Sequence, residues 1–377
     1  MKTIGIITVH RLPNWGSAMQ AYALQKAIDS LGYKSQVIDY KYTNPYHWKR
    51  GKPKFATPKL KTRIAIWLGL RPPRLQTLIN KFISKEVYIT KPYNTFEDLH
   101  KNVPQYDIYC SGSDQIWNYK TMCCDPTYML DFAPETCKRI AYSSSFSVNQ
   151  IPTEYQEIYK VNLSKFSALS VREQNGCNII KELLNKEAKL VLDPTLLLNK
   201  QQWEQLASKA SFKQEIPSKY ILCYMLGYTY NPNTAMASLL EHLQEKHKCP
   251  VISIGRPLEK FKGNIYQMPQ SQGIGVYEFL WLIKNATVVA TSSFHGTAFS
   301  VNMGTPFISL VEFIEQEDDR ITSFLNKVDL TNHLVTIKTD YKHLTIDENN
   351  NLEKAQEKLC QLRKDSMNYL QKALEND

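Results

Sequence analysis

Hydrophobic positions recur at two different spacings along the chain, and the alternation predicts its elements. Thr3-Ile4-Gly5-Ile6-Ile7-Thr8-Val9 is a continuous run of buried-strand length. A polar turn, Asn14-Trp15-Gly16-Ser17, follows it and offers a helix cap. Ala18, Ala21, Leu24, Ala27, Ile28 and Leu31 then recur at helical spacing as far as Gly32, a stop signal. Gln36-Val37-Ile38-Asp39-Tyr40 reads as the next strand. Strand, helix and strand in this order predict a parallel α/β unit whose ligand edge lies at the strand C-termini, beside Asn14 and Gly16.

The pattern resumes at Ile108-Tyr109-Cys110, ahead of a loop from Ser111 to Asn118. Ile140 to Ser143, Ala168 to Val171 and Leu190 to Leu192 are further short strands, each handing over to a polar residue. A second α/β set opens at Lys219 to Tyr224 and continues through Val251 to Gly255, the helix Val276 to Asn285, the strand Thr287 to Thr291 and Phe307 to Leu310. Leu352, Ala355, Leu359, Leu362 and Leu370 fall on one face of a terminal helix. Gln, Lys and Ser accumulate between Leu196 and Ser218. The predicted division is therefore a first lobe over 1–200, with an insertion at 41–85, and a second lobe over 201–377 that includes the terminal helix. A cleft between the lobes is the expected place for ligands.

Charge changes this picture in one place. The net charge is +10, but Lys41 to Lys85 holds twelve basic residues and no Asp or Glu, which leaves the rest of the chain at −2. Interleaved Trp48, Phe55, Ile64, Ile66, Trp67, Leu68 and Leu70 favour an anionic lipid surface over nucleic acid, and Lys61 to Leu70 reads as a short basic amphipathic patch. The alternative for the segment is an ordinary solvated insertion.

The 43% hydrophobic content over 377 residues excludes disorder and a small disulfide scaffold. No apolar run has the length of a membrane span, and the first residues lack a signal-peptide core and cleavage site, so a soluble cytoplasmic protein is expected. The eight cysteines form no Cys-x-x-Cys pair, and no His or carboxylate cluster has metal-ligand spacing. Neither a dinucleotide fingerprint nor a P-loop is present. No metal or cofactor is expected.

The stretch richest in chemistry is Thr291-Ser292-Ser293-Phe294-His295-Gly296-Thr297-Ala298. It places an imidazole in the turn between a buried strand and a helix whose first N–H groups favour an anion, with Gly296 admitting close approach of the backbone to a ligand. Arg172, at the end of a strand, has a planar guanidinium suited to a carboxylate or phosphate, or to pairing with a neighbour such as Glu173. Asp114 and Asp193 both follow strands and are candidates for a base, although Pro194-Thr195 suits Asp193 equally to forming a turn.

These residues carry a resemblance. Asn14-Trp15-Gly16-Ser17 with Gln20 to Gln25, then Gly112-Ser113-Asp114-Gln115-Ile116-Trp117, Ser170-Val171-Arg172-Glu173, Asp193-Pro194-Thr195 and Ser293-Phe294-His295-Gly296 resemble, in order and approximate spacing, the polysaccharide pyruvyl transferase family. The resemblance runs over about residues 3 to 325. It implies a GT-B-like arrangement of two Rossmann-like lobes around a central cleft. It also implies transfer of pyruvate from phosphoenolpyruvate to a sugar of an exopolysaccharide or capsule, or of its lipid-linked precursor, as a ketal.

The resemblance associates His295 and Arg172 with the donor; the residues themselves then suggest His295 and Asp114 as the catalytic pair, and Arg172, Ser293, Gly296, Thr297 and Arg256 for the donor. Asn14, Gly16, Ser17, Gln115 and Trp117 fall to the acceptor. Many family members carry Arg-Leu-His-Gly where this chain has Ser293-Phe294-His295-Gly296, so either another basic residue such as Arg11, Arg256 or Arg320 supplies the missing cation or the donor differs. The Gly-Pro that often precedes the second-lobe helix is Gly275-Val276 here. A polyprenyl-diphosphate-linked acceptor at the inner leaflet would give the 41–85 segment a role as a peripheral membrane contact. The rival expectations are a glycosyltransferase of the same architecture using a nucleotide sugar, and a non-catalytic, membrane-peripheral component of glycan assembly.

Overall fold

The computed structural model describes residues 1–41, 61, 64, 74–226, 230–268, 273–344, 347 and 351–375. Apart from Lys61 and Ile64, the predicted patch from Lys61 to Leu70 lies outside the described residues, as does most of the basic segment.

Apolar runs become central strands because both faces of a parallel sheet are covered by helices. Strand β1 (Thr3–Ile7) leads into helix α1 (Trp15–Ser30), and β2 (Lys34–Val37) pairs with β1. Helix α1 starts where Asn14 Oδ1 accepts the backbone N–H groups of Gly16 (2.8 Å) and Ser17 (3.3 Å). It stops before Gly32, whose φ of 85° suits glycine. Helix α2 (Leu75–Glu86) buries Ile79, Phe82 and Ile83, and α3 (Phe96–Lys101) precedes β3 (Ile108–Asp114).

After β3 come the short helix α4 (Tyr119–Met122), strand β4 (Lys138–Ser144) and helix α5 (Thr153–Leu163). Strand β5 (Ser170–Val171), helix α6 (Gln174–Leu184) and strand β6 (Lys189–Leu190) complete the set. All neighbours are parallel, in the order β2-β1-β3-β4-β5-β6. The order reverses between β1 and β3, and such a switch point opens a crevice outside the strand C-termini.

A second sheet follows helix α7 (Lys200–Ala207). Its elements are β7 (Ile221–Met225), α8 (Asn233–His247), β8 (Val251–Gly255), α9 (Val276–Asn285), β9 (Val288–Thr291), α10 (Phe294–Met303), β10 (Phe307–Val311), α11 (Arg320–Lys327) and β11 (Leu334–Thr336). The order β11-β10-β9-β7-β8 is again all parallel and reverses between β9 and β7. The two-unit α/β class read from the sequence is thus borne out.

The described residues of Met1–Arg71, Ile79–Leu198 and Leu362–Asp377 form one compact unit, and those of Pro72–Leu78 and Asn199–Gln361 form another. The predicted second lobe took in the whole terminal helix, α12 (Leu352–Glu375). The contacts instead assign its last turns to the first unit. The reason is polar anchorage: Arg363 Nε donates to Leu196 O (2.7 Å) and Ser366 Oγ accepts from Leu192 N–H (3.0 Å).

The sequence reads Ser111 to Asn118 as a loop, but the strand continues to Asp114. Pairing with β4 carries the strand on to Asp114, while β1 runs alongside only as far as Ser111, and the polar side chains of Ser111, Ser113 and Asp114 are buried. No helix among the described residues is long and apolar enough to cross a membrane.

Candidate functional site

Polar side chains gather at the C-terminal edge of the first sheet, across the β1/β3 switch point. Ser17 Oγ, in the first turn of α1, donates to Asp114 Oδ2 at 2.6 Å. Asp114 Oδ1 accepts from Gln115 N–H (2.8 Å) and from Arg172 Nη2 (3.2 Å). Arg172 Nη1 donates to Asp193 Oδ2 at 2.6 Å, and Glu173 Oε2 lies 3.9 Å from Arg172 Nε. Three carboxylates therefore face one guanidinium whose side chain is fully buried.

Each acid has a second task. Asp193 Oδ1 accepts from the backbone N–H (2.9 Å) and hydroxyl (2.7 Å) of Thr195, which is the turn-forming role that Pro194-Thr195 suggested. Glu173 Oε1 accepts from Phe146 N–H (2.8 Å) and Ser147 N–H (3.3 Å), fixing the loop after β4. Asp114 alone of the three retains an exposed tenth of its side chain. Its φ of 73°, with 57° at Ser143 and 51° at Ser147, concentrates left-handed backbone in this one edge, a cost that recurs at functional sites.

Gln20 belongs to one of the motifs quoted from the sequence but has no role assigned there. Its Nε2 donates to Thr8 Oγ1, Val9 O and Ser17 O, each at 2.9 Å, and its Oε1 accepts from Ser113 N–H at 3.3 Å. It ties α1 to the ends of β1 and β3. The available signal was an amide three residues after Ser17, on a helix face otherwise lined by Ala and Leu.

Several expectations are corrected here. Arg172 does not present an open guanidinium; burial commits it to Asp193 and Asp114. Trp117 is a core residue, its Nε1 donating to Tyr128 O (3.1 Å) and its ring packed against Phe146 and Phe166. Gly16 N–H is taken by the Asn14 cap. Asn14 and Gln115 remain half-buried at the edge.

In the second unit the His295 turn occupies the β7/β9 switch point. Ser292 Oγ donates to Leu226 O (3.1 Å) and accepts from Leu226 N–H (3.0 Å), closing the turn onto the end of β7. Ser293 is the cap of α10, its Oγ accepting from Gly296 N–H (3.3 Å) and its carbonyl accepting from Thr297 N–H (3.0 Å). The Gly296 and Thr297 amides are therefore spent inside the helix start and do not form the expected anion nest. Gly296 is glycine for packing, since a Cβ there would overlap Thr291 Oγ1 and crowd Tyr224. His295 follows in the first turn of α10, buried and edge-on to Phe294.

The three basic residues proposed to supply the missing cation are now separable. Arg11 grips Asp39 with Nε (2.5 Å) and Nη2 (2.7 Å), and Arg320 grips Asp318 with Nε (2.7 Å) and Nη2 (2.5 Å). Arg256 is half-buried, follows Gly255 at the C-terminal end of β8, and bonds through its backbone N–H to Met225 O at 2.7 Å. Of the three, it is the one with no carboxylate partner among the described residues. Those residues also contain no group of three His, Cys, Asp or Glu side chains placed to hold a metal ion.

Two parallel α/β units, each with a polar, buried switch point, are the architecture of proteins that bind ligands at strand C-termini. Among solved structures, the N-terminal domain of Candida albicans trehalose-6-phosphate phosphatase matches 99% of this chain and 96% of its own, with 10% identity and a TM-score of 0.50. Arabidopsis thaliana UGT89C1 complexed with UDP-L-rhamnose matches 97% and 94%, with 12% identity and a TM-score of 0.46. Methanocaldococcus jannaschii UDP-GlcNAc 2-epimerase matches 96% and 92%, with 12% identity and a TM-score of 0.43. At these identities the likeness is one of fold. No curated protein sequence matches the chain.

The family is shown by its model, which matches residues 14–312: the chain belongs to the polysaccharide pyruvyl transferase family. The matched span contains the Asn14 cap, the Asp114 edge, Arg172, Asp193 and the His295 turn. Membership makes the protein a transferase of polysaccharide biosynthesis with a saccharide acceptor.

Proposed function

We propose that the protein transfers pyruvate from phosphoenolpyruvate to two hydroxyls of a saccharide, forming a pyruvate ketal and releasing phosphate. The family match over residues 14–312 is the observation that carries this reading. The orientation of Asp114 by Ser17 and Arg172 supports it from the structure.

The chemistry needs a proton delivered to the donor methylene carbon, support for the cation that develops at C2, departure of phosphate, and removal of protons from two hydroxyls. One hydroxyl proton balances the new methyl group, and the other leaves with phosphate. Asp114 is the base, because its carboxylate is held in place and is the least buried of the edge acids. His295 serves as acid or phosphate ligand, and Arg256 supplies positive charge for the donor. Arg172 acts as a positioning residue that fixes Asp114 rather than as a donor ligand. The acceptor is a cell-surface polysaccharide unit or its polyprenyl-diphosphate precursor, reached at the inner face of the membrane through the 41–85 segment.

Two assays test this. Phosphate release from phosphoenolpyruvate is expected only when a pyranoside is added, and saccharide-independent release would refute the transfer. Deletion of residues 48–74 is expected to abolish binding to anionic vesicles while sparing turnover of a short soluble acceptor; unchanged vesicle binding would refute the membrane role.

A further inference from the structure

Five residues after Asp114 in the chain, Tyr119 packs against the core of the first unit and pairs with a second tyrosine, Tyr155, that is exposed. Tight turns carry the chain out of β3: Ile116 N–H donates to Asp114 O (2.7 Å) and Asn118 N–H to Gln115 O (3.2 Å). Asn118 then caps α4, so that Tyr119 emerges as its first residue. Helix α5 packs over this segment, and Tyr159 Oη donates to Trp117 O at 2.8 Å. One turn earlier on the same face of α5, Tyr155 meets Tyr119, with ring centroids 5.6 Å apart and planes inclined by 34°. The Lys120 ammonium lies 5.7 Å from the centre of the Tyr119 ring.

The two tyrosines of α5 have opposite fates. Tyr159 is sealed, whereas Tyr155 keeps 38% of its surface exposed, uncommon for an aromatic already engaged with another ring. Its position is fixed by the Tyr159 anchor below and the Tyr119 ring beside it, so little rotamer freedom remains to be lost on binding. A flat, preordered aromatic face fits the axial C–H patch of a pyranose ring, and a phenol and an ammonium at its rim fit the ring hydroxyls.

We propose that Tyr155, backed by Tyr119 in the segment that leads away from Asp114, is the stacking platform for a pyranose ring of the acceptor. The inference rests on the proposed saccharide-directed function and adds to it the residues that grip the acceptor. It also replaces Trp117, the aromatic singled out from sequence, with the exposed ring of Tyr155.

The test uses the full chain with methyl glucopyranoside, methyl galactopyranoside and methyl mannopyranoside as probes, following binding by saturation-transfer NMR and turnover by phosphate release. Tyr155→Ala is expected to weaken binding of the preferred pyranoside and raise its KM about fivefold to tenfold. The KM for phosphoenolpyruvate and the melting temperature should hold, and Tyr155→Phe should restore binding. Equal binding by wild type and Tyr155→Ala, or no binding by wild type, overturns the platform. Saccharide binding that depends on Tyr155 without phosphate release from phosphoenolpyruvate would uphold the platform and overturn the donor assignment instead.

Discussion

Ser17 Oγ and Asp114 Oδ2 are 2.6 Å apart, a hydrogen bond between side chains 97 residues apart in sequence that crosses the switch point of the first sheet. It orients the carboxylate on which the proposed acceptor chemistry depends. Ser17→Ala should lower kcat about tenfold and cost about 1 kcal/mol of stability, the worth of one buried hydrogen bond. Asp114→Asn should lower kcat by about a hundredfold or more, the usual weight of a general base. Initial rates of phosphate release and urea unfolding separate the two effects.

Arg172 should behave as a structural cation. Its removal strands the carboxylates of Asp193, Asp114 and Glu173 in the interior, so Arg172→Ala should lose about 3–5 kcal/mol in urea unfolding. Arg172→Lys should recover little, because one ammonium does not reproduce the fork that spans Asp193 and Asp114. Wild-type stability in the alanine variant would contradict the buried network.

Two other carboxylates of the first unit tilt stability in opposite directions with pH. Burial pushes Asp39 up, yet hydrogen bonds from His10 and Arg11 outweigh it and hold the carboxyl well below the usual range. That stabilisation is complete above about pH 4 and is lost as the pH falls further. Partial burial pushes Asp131 up to about 6, against the pull of the His100 imidazole and with the help of Asp125. Its folded form keeps a proton that the unfolded chain has released, so its contribution weakens as the pH rises from about 4 to 6. Urea midpoints against pH should lose the first slope in Asp39→Asn and the second in Asp131→Asn.

Gly296→Ala should cost about 1–3 kcal/mol, since the added methyl meets Thr291 Oγ1 and Tyr224 within a tightly packed strand and helix. Thermal melts would show it. A variant as stable as wild type would mean that the glycine answers to a ligand instead.

Element types were legible in the sequence, because runs such as Ile4 to Ile7 and Val288 to Thr291 have no choice but burial between helices. The C-terminal edge of each sheet was legible as well, since Asp114 ends β3 and His295 lies in the turn after β9. What the sequence concealed is how side chains divide their bonds. Nothing in the spacing of Arg172 and Asp193 states that one guanidinium will close on a carboxylate 21 residues later. Nor does Gly296 announce that Thr291, five residues back, is what excludes a side chain there. Trp117 and Tyr119 differ by two positions, and only the packing of α5 decides which one is buried. Polar residues misled most where a strand ran on: Ser111 to Asp114 look like a loop but continue the ladder with β4.

The most direct measurement of the central claim is the product itself, read by mass spectrometry after incubation with phosphoenolpyruvate and the preferred pyranoside. A saccharide heavier by one pyruvate less one water, formed in step with phosphate and reduced at least about a hundredfold in Asp114→Asn and His295→Ala, is the predicted result. An unmodified saccharide, or product formation by both variants within a few-fold of wild type, would contradict it.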